Sequence, residues 1–135
     1  MKRAIVTFMT SMIMVFNCSP AFAHYEVEEL PKCIVVTHCV LESWEVNEIE
    51  DSFKKAVEVL TNSPRTQIVE KTDSYIHAEV KTISRRYTDD LLLKVLPEKR
   101  VIQVRSESRV GIGDMGVNQR RVDDLADRLS IIKRF

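Results

Sequence analysis

Arginines and glycines crowd one short stretch of this chain. All three glycines in 135 residues fall in Arg109-Val-Gly111-Ile-Gly113-Asp-Met-Gly116-Val-Asn118, with Arg105 before them and Arg120 and Arg121 after. A chain this poor in glycine is not using it as loop filler, so the backbone here is expected to need positive φ or a close approach. Two chemistries suit such a stretch. The spacing fits G-x-G-x-x-G, a loop whose backbone N–H groups cradle a phosphate at a helix N-terminus. The guanidinium groups could also clasp an outside phosphate or carboxylate. Alternatively they pair with the chain's own acids, among them Asp89, Asp90, Glu107, Asp114 and Asp124.

The elements around the stretch decide part of this. Val101-Ile-Gln-Val-Arg105 reads as a strand, and the residues from about Asn118 to Ile131 read as a helix with Val122, Leu125, Leu129 and Ile132 on one face. Dinucleotide binding needs a βαβ unit, with a later strand carrying an acid for the ribose. Only 19 residues follow Gly116 and the helix is expected to take most of them, so no such strand is expected. The helix itself opens with Gln119-Arg120-Arg121, against its own dipole, at a cost of about 0.3–1 kcal/mol per cation. Something must offset that cost: either internal carboxylates or a bound anion. The nearby acids weigh toward an internal network.

Upstream, Glu26 to Pro31 reads as extended, and Ile34-Val35-Val36 as a short apolar run. Asn47 with Glu50 three residues on has the form of a capping box. Ile49, Phe53, Ala56, Val57 and Leu60 then follow at helical spacing, until Asn62-Ser63-Pro64 stops the helix. Arg65 to Lys71 reads as an edge-like strand, Ile76, Ala78 and Val80 as the inward side of a second, and Leu91 to Leu96 as a more buried third. Thr72-Asp73-Ser74 and Pro97-Glu98-Lys99 supply tight turns, so the neighbours pair antiparallel. The expected fold is α+β: helix, four antiparallel strands, helix, with both helices on one face of the sheet. This domain is expected over 47–135, preceded by an extended segment over 24–46.

Residues 1–23 read as an export signal. Lys2 and Arg3 precede an uncharged run of 13 residues, Ala4 to Phe16, and Ala21-Phe22-Ala23 supplies a cleavage pattern. The run is shorter than the roughly 20 residues that span a bilayer. An uncleaved anchor and a lipoprotein at Cys18 are weaker alternatives. Asn17 stands before Cys18, where a small residue is expected. Cleavage would leave 112 residues with 18 basic and 20 acidic side chains, a net charge of −2. That balance argues against nucleic acid as a partner. Cys33 and Cys39 would remain as an even pair, which in an exported protein suggests a disulfide. Cys33, His38 and Cys39 as metal ligands lack the usual spacing and a fourth ligand, and Cys33 and Cys39 are not spaced as a redox pair.

No hydrolase assembles from these residues. Ser106 and Ser108 lack the G-x-S-x-G elbow, and His77 has no evident nucleophile partner and is expected to be solvated. Asp89 and Asp90, adjacent on a strand, point to opposite faces and cannot easily converge.

The string from Val101 to Val122 resembles the family called domain of unknown function 1499. Its members end with Arg-Ser-x-Ser-Arg-x-Gly-x-x-Asp-x-Gly-x-Asn-x-x-Arg and a terminal helix. Arg105, Ser106, Ser108, Arg109, Gly111, Asp114, Gly116, Asn118 and Arg121 match every one of those positions. Asp89-Asp90 is similar to the family's Asp-Asp pair, and Cys33 and Cys39 to its N-terminal Cys-x5-Cys. The chain departs from the family in having Ile-Val-Val-Thr-His between those cysteines, where relatives carry Pro and Ser-Pro-Asn. Gly113 stands where relatives often have Ser or Thr, which makes that glycine incidental. The resemblance implies no reaction, cofactor or substrate. It implies exported or membrane-attached proteins of bacteria, cyanobacteria and plastids, hence a periplasm or thylakoid lumen. The expectation for function is a small exported, non-catalytic binding or assembly-accessory module. Arg105, Arg109 and Arg121 would bind an anionic small molecule or an acidic segment of an envelope or lumenal protein, with Gly111 and Gly116 shaping the loop, Asp114 and Asn118 orienting it, and peripheral membrane association allowed. The alternatives are a structural accessory in which the same residues form only an internal network, and a small hydrolase or other enzyme of unassigned reaction.

Overall fold

Alternating apolar residues in the middle of the chain build an antiparallel sheet whose inner side both helices cover. The computed structural model describes residues 29–84, 87–111 and 113–132, so the expected export signal lies outside the described residues. The elements run β1 (Cys39–Glu45), α1 (Ile49–Thr61), β2 (Thr66–Lys71), β3 (Tyr75–Lys81), β4 (Thr88–Leu96), β5 (Val101–Ser108) and α2 (Val117–Arg128). The strands lie in the order β1-β5-β4-β3-β2, with every neighbouring pair antiparallel. The chain thus enters at one edge, crosses to the far edge through α1, and returns as a meander.

The sheet has five strands where the sequence pattern suggested four. β1 pairs with β5 along its whole length, from Cys39 opposite Glu107 to Glu45 opposite Val101. Its inward residues are Val40, Glu42 and Trp44, so a carboxylate interrupts the apolar alternation. Glu42 is held in place by polar contacts, accepting from Trp44 Nε1 at 2.8 Å and Gln119 Nε2 at 2.8 Å.

Phe53, Ala56 and Leu60 of α1 join Val122, Leu125, Ala126 and Leu129 on the α2 side in one core. They pack there against Trp44, Ile76, Ala78, Leu91, Leu93, Val95, Ile102 and Val104 of the sheet. Two helix-end expectations change. α1 begins after Glu48 with no side-chain cap, so Asn47 and Glu50 form no capping box. The turn between β4 and β5 clasps this end instead: Val46 N donates to Arg100 O at 3.1 Å, and Arg100 donates to Asn47 O at 3.0 Å. At the other end, α2 stops at Arg128 and Ser130 takes φ 59°, so Ile132 turns out into solvent instead of extending the apolar face.

The outer side of the sheet is partly crossed by the segment before β1. Leu30 is buried there and its N–H donates to Gln103 Oε1 at 2.8 Å. Cys33 and Cys39 are disulfide-bonded, with Cα atoms 5.6 Å apart, which anchors the segment to β1. Both thiols are consumed, so neither is a metal ligand. The Ile34-Val35-Val36 run is exposed.

Phe53→Ala should cost about 3–5 kcal/mol in urea unfolding, because it opens a cavity between α1 and the sheet. Ile132→Ala should stay within about 0.5 kcal/mol.

Candidate functional site

Strand alternation divides the motif between the two sides of the sheet. Ser106 and Ser108 of β5 point toward the helices, as does Asp89, which stands opposite Ser108 on β4. Arg105 and Glu107 point the other way, with Arg109 following them past the strand end. The four arginines therefore do not converge. Arg121 stands on the helix side, while Arg105 and Arg109 stand on the outer side.

On the helix side the first turn of α2 carries a buried polar cluster. Asn118 is fully buried and uses its whole carboxamide. Its Nδ2 donates to Ser108 Oγ at 2.9 Å and to His38 O at 3.0 Å. Its Oδ1 accepts from Ser106 Oγ at 2.6 Å and from Arg121 at 2.5 Å. Arg121 also donates to Ser106 Oγ at 2.8 Å and pairs with Asp89 Oδ2 at 2.6 Å. The Asp89 side chain is 1% exposed and that of Arg121 is 15% exposed. A carboxylate this buried needs a partnered cation, and Arg121 supplies it.

The loop before α2 accounts for the remaining positions of the motif string. Asp114 accepts from Gly116 N at 2.9 Å and from Asn118 N at 2.7 Å, so its carboxylate sits on the helix N-terminus. This internal anion meets the dipole and offsets the arginines that follow. Burial alone would raise the Asp114 pKa, but the N–H groups of Asn118 and Gly116 outweigh it and hold it below the usual carboxylate range. Gly111 and Gly116 take φ 109° and 74°, where a side chain would be strained. Gly113 has no such requirement, and a Cβ there would meet Thr37 O at an ordinary 3.8 Å.

A second network covers the outer side. Arg109 grips Asp90 with two bonds, Nε to Oδ2 at 2.8 Å and a terminal nitrogen to Oδ1 at 2.7 Å, and reaches Glu79 at 2.6 Å. His77, expected to be solvated, is half-buried and lies 2.6 Å from Asp90 Oδ1. The Arg109 guanidinium holds Asp90 below the ordinary carboxylate range, against burial and with help from His77. Arg105 pairs with Glu107 at 2.6 Å. His77, Asp90, Arg109 and Glu79 thus form one ion-pair network across β3, β4 and the end of β5. At the opposite end of the sheet a cleft of about 860 Å³ runs between Trp44–Glu48 and Leu129–Ile132, and no histidine or cysteine lines it.

A family model described as "Protein of unknown function (DUF1499)" matches residues 25–129. The chain belongs to this family. The match spans every strand and both helices. The DUF1499 motif thus corresponds here to the junction where β5, α2 and the carbonyl of His38 meet. No curated protein matches the chain. Sequence reasoning missed two contributors, His38 through its backbone oxygen and Glu79 on β3. The first carries no side-chain signal. The second follows from β3–β4 register, since Glu79 stands opposite Asp90.

Asn118→Ala should destabilise by roughly 3–5 kcal/mol, because it strands several buried partners at about 1–3 kcal/mol each. Asp89→Ala should cost about 3–5 kcal/mol by leaving Arg121 unpaired, and adding Arg121→Met should recover part of that. Chemical denaturation of the three variants reads both effects. Asp90 and Asp114 both have folded pKa values below their unfolded ones. Their contribution is complete above the unfolded carboxylate value of about 4 and is lost as pH falls through the lower folded values. Melting temperature should therefore fall below about pH 4, and less steeply in Asp90→Asn.

Proposed function

We propose that this is a small exported, non-catalytic binding or assembly-accessory module, in which the arginine–serine–asparagine motif is a latch that fixes the geometry of its loops. The observation that carries this reading is the Asn118 cluster. Every polar group of that carboxamide, and the Arg121 head with it, is engaged by the chain itself. The helix end that would attract a phosphate already holds Asp114. Arg109, the most exposed of the three motif arginines, is engaged by Asp90 and Glu79. The reading therefore keeps the module and moves its contact surface off the arginine cluster.

Export to an oxidising compartment, a periplasm or thylakoid lumen, is supported by the Cys33–Cys39 disulfide. No described helix is long and apolar enough to cross a membrane.

Thermal unfolding in phosphate, polyphosphate and small carboxylates, at two salt levels, tests the latch. The expected result is no saturable stabilisation beyond the general salt effect, together with a large loss of stability in Arg121→Ala without any ligand. Saturable stabilisation that disappears in Arg109→Ala or Arg121→Ala would instead make the cluster an anion site.

A further inference from the structure

Three loops leave the sheet at the same end, and they carry most of the exposed apolar side chains. Of the nine large apolar residues exposed among the described residues, seven lie here. Ile34, Val35 and Val36 stand in the disulfide loop before β1, Val110 and Met115 in the loop after β5, and Ile83 and Tyr87 in the β3–β4 hairpin. Met115 is 94% exposed, Ile34 91% and Ile83 86%.

The loops are neighbours. Asp114 N donates to Thr37 O at 3.3 Å, Ser108 N to His38 O at 3.0 Å, and Arg109 N to Thr88 O at 3.5 Å. β1 and β3 are three strand spacings apart in the sheet order, so the strand ends that carry these loops fall within a span of about 15 Å. Solitary exposed apolar residues are ordinary, whereas a concentration of them on one end marks a contact surface.

The charge of this end is one-sided. Its acids are engaged within the chain: Asp114 on the α2 terminus, Asp89 on Arg121, Asp90 and Glu79 on Arg109. Arg65, Lys81 and Arg120 are exposed and form no ion pair among the described residues. A groove of about 470 Å³ between the hairpin and the first turn of α2 is lined by these three cations and Arg121, with Ile83 and Val117, and by no carboxylate.

We infer that this end docks on an anionic lipid bilayer, placing the apolar loop tips among the headgroups and the cations of the groove against lipid phosphates. Apolar tips bordered by uncompensated cations match a surface that is negative outside and oily beneath. Because the disulfide and the Asn118 latch hold the bases of the loops before β1 and after β5, those two loops need little ordering on contact. The inference rests on the non-catalytic module reading, and names the surface which that module meets.

Trp44 makes the test direct, because the only tryptophan is buried in the core near the opposite end of β1. Met115→Trp and, separately, Ile83→Trp place a reporter on a loop tip of the full chain. They are titrated with phosphatidylglycerol–phosphatidylcholine vesicles whose acyl chains carry bromine, and with phosphatidylcholine vesicles alike in bromine. The expected result is blue-shifted, quenched emission from both reporters with the anionic vesicles only, and no response from Trp44 in the unsubstituted chain. Arg65→Glu with Lys81→Glu should weaken binding at least tenfold, and so should raised salt. These positions are exposed, so an unchanged melting temperature certifies the fold.

Absence of quenching, or equal quenching with neutral vesicles, overturns the inference. So does binding of the chain to vesicles while both reporters stay unquenched, which would assign attachment to another segment. If the reporters respond to poly-glutamate and not to vesicles, the surface takes an acidic protein partner. None of these outcomes alters the anion result for the latch, so the two readings fail separately.

Discussion

One buried carboxamide ties three parts of this chain together. Asn118 stands in the first turn of α2, and its side chain holds that helix to both inward serines of β5 and to the backbone just ahead of β1. The position demands two N–H donors and an oxygen that accepts twice, a set only Asn or Gln provides. Its backbone N–H is committed too, to Asp114, so the residue that locks the helix to the sheet also fixes where the helix starts. Removing water from such a site makes each satisfied bond stronger and each missing one costly. The neighbouring motif positions then follow. Asp114 must precede by four, Gly116 must turn left-handed between them, and Arg121 must follow by three to share the carboxamide oxygen and neutralise Asp89.

The same period-two logic that separates Asp89 from Asp90 separates the arginines. Residues 105 and 109 are four apart and face outward with Asp90, while 106 and 108 face the helices with Asp89. Clustering in sequence suggests clustering in space, and the pleat undoes that. What the spacing did carry was the place of the junction, the need for positive φ at Gly111 and Gly116, and the internal pairing of the guanidinium groups. The helix face of Phe53, Ala56 and Leu60 and the three-turn meander were equally readable, because burial on one side leaves a clean period.

The elements that escaped did so where tertiary contact replaced local signal. β1 has Glu42 on its inward side, where Trp44 of the same strand and Gln119 of α2 donate to it, and the second donor, 77 residues on, is not visible from β1 alone. α1 lacks a side-chain cap because the β4–β5 turn, remote in sequence, holds its entry. His77 gained a partner by register: β3 sets it beside β4, where Asp90 is already gripped by Arg109.

Near-neutral composition is therefore a poor guide to the surface of this domain. A net charge of zero over the chain says only that totals balance. Folding spends the acids unevenly, since both networks and the helix terminus draw on carboxylates from the same end of the sheet. Asp89 and Asp114 go to the helix side, Asp90 and Glu79 to the outer side. The latch and the basic rim are linked by placement: the carboxylates that make the junction rigid face Arg121, Arg109 and the α2 terminus, and none lines the groove where Arg65, Lys81 and Arg120 stand.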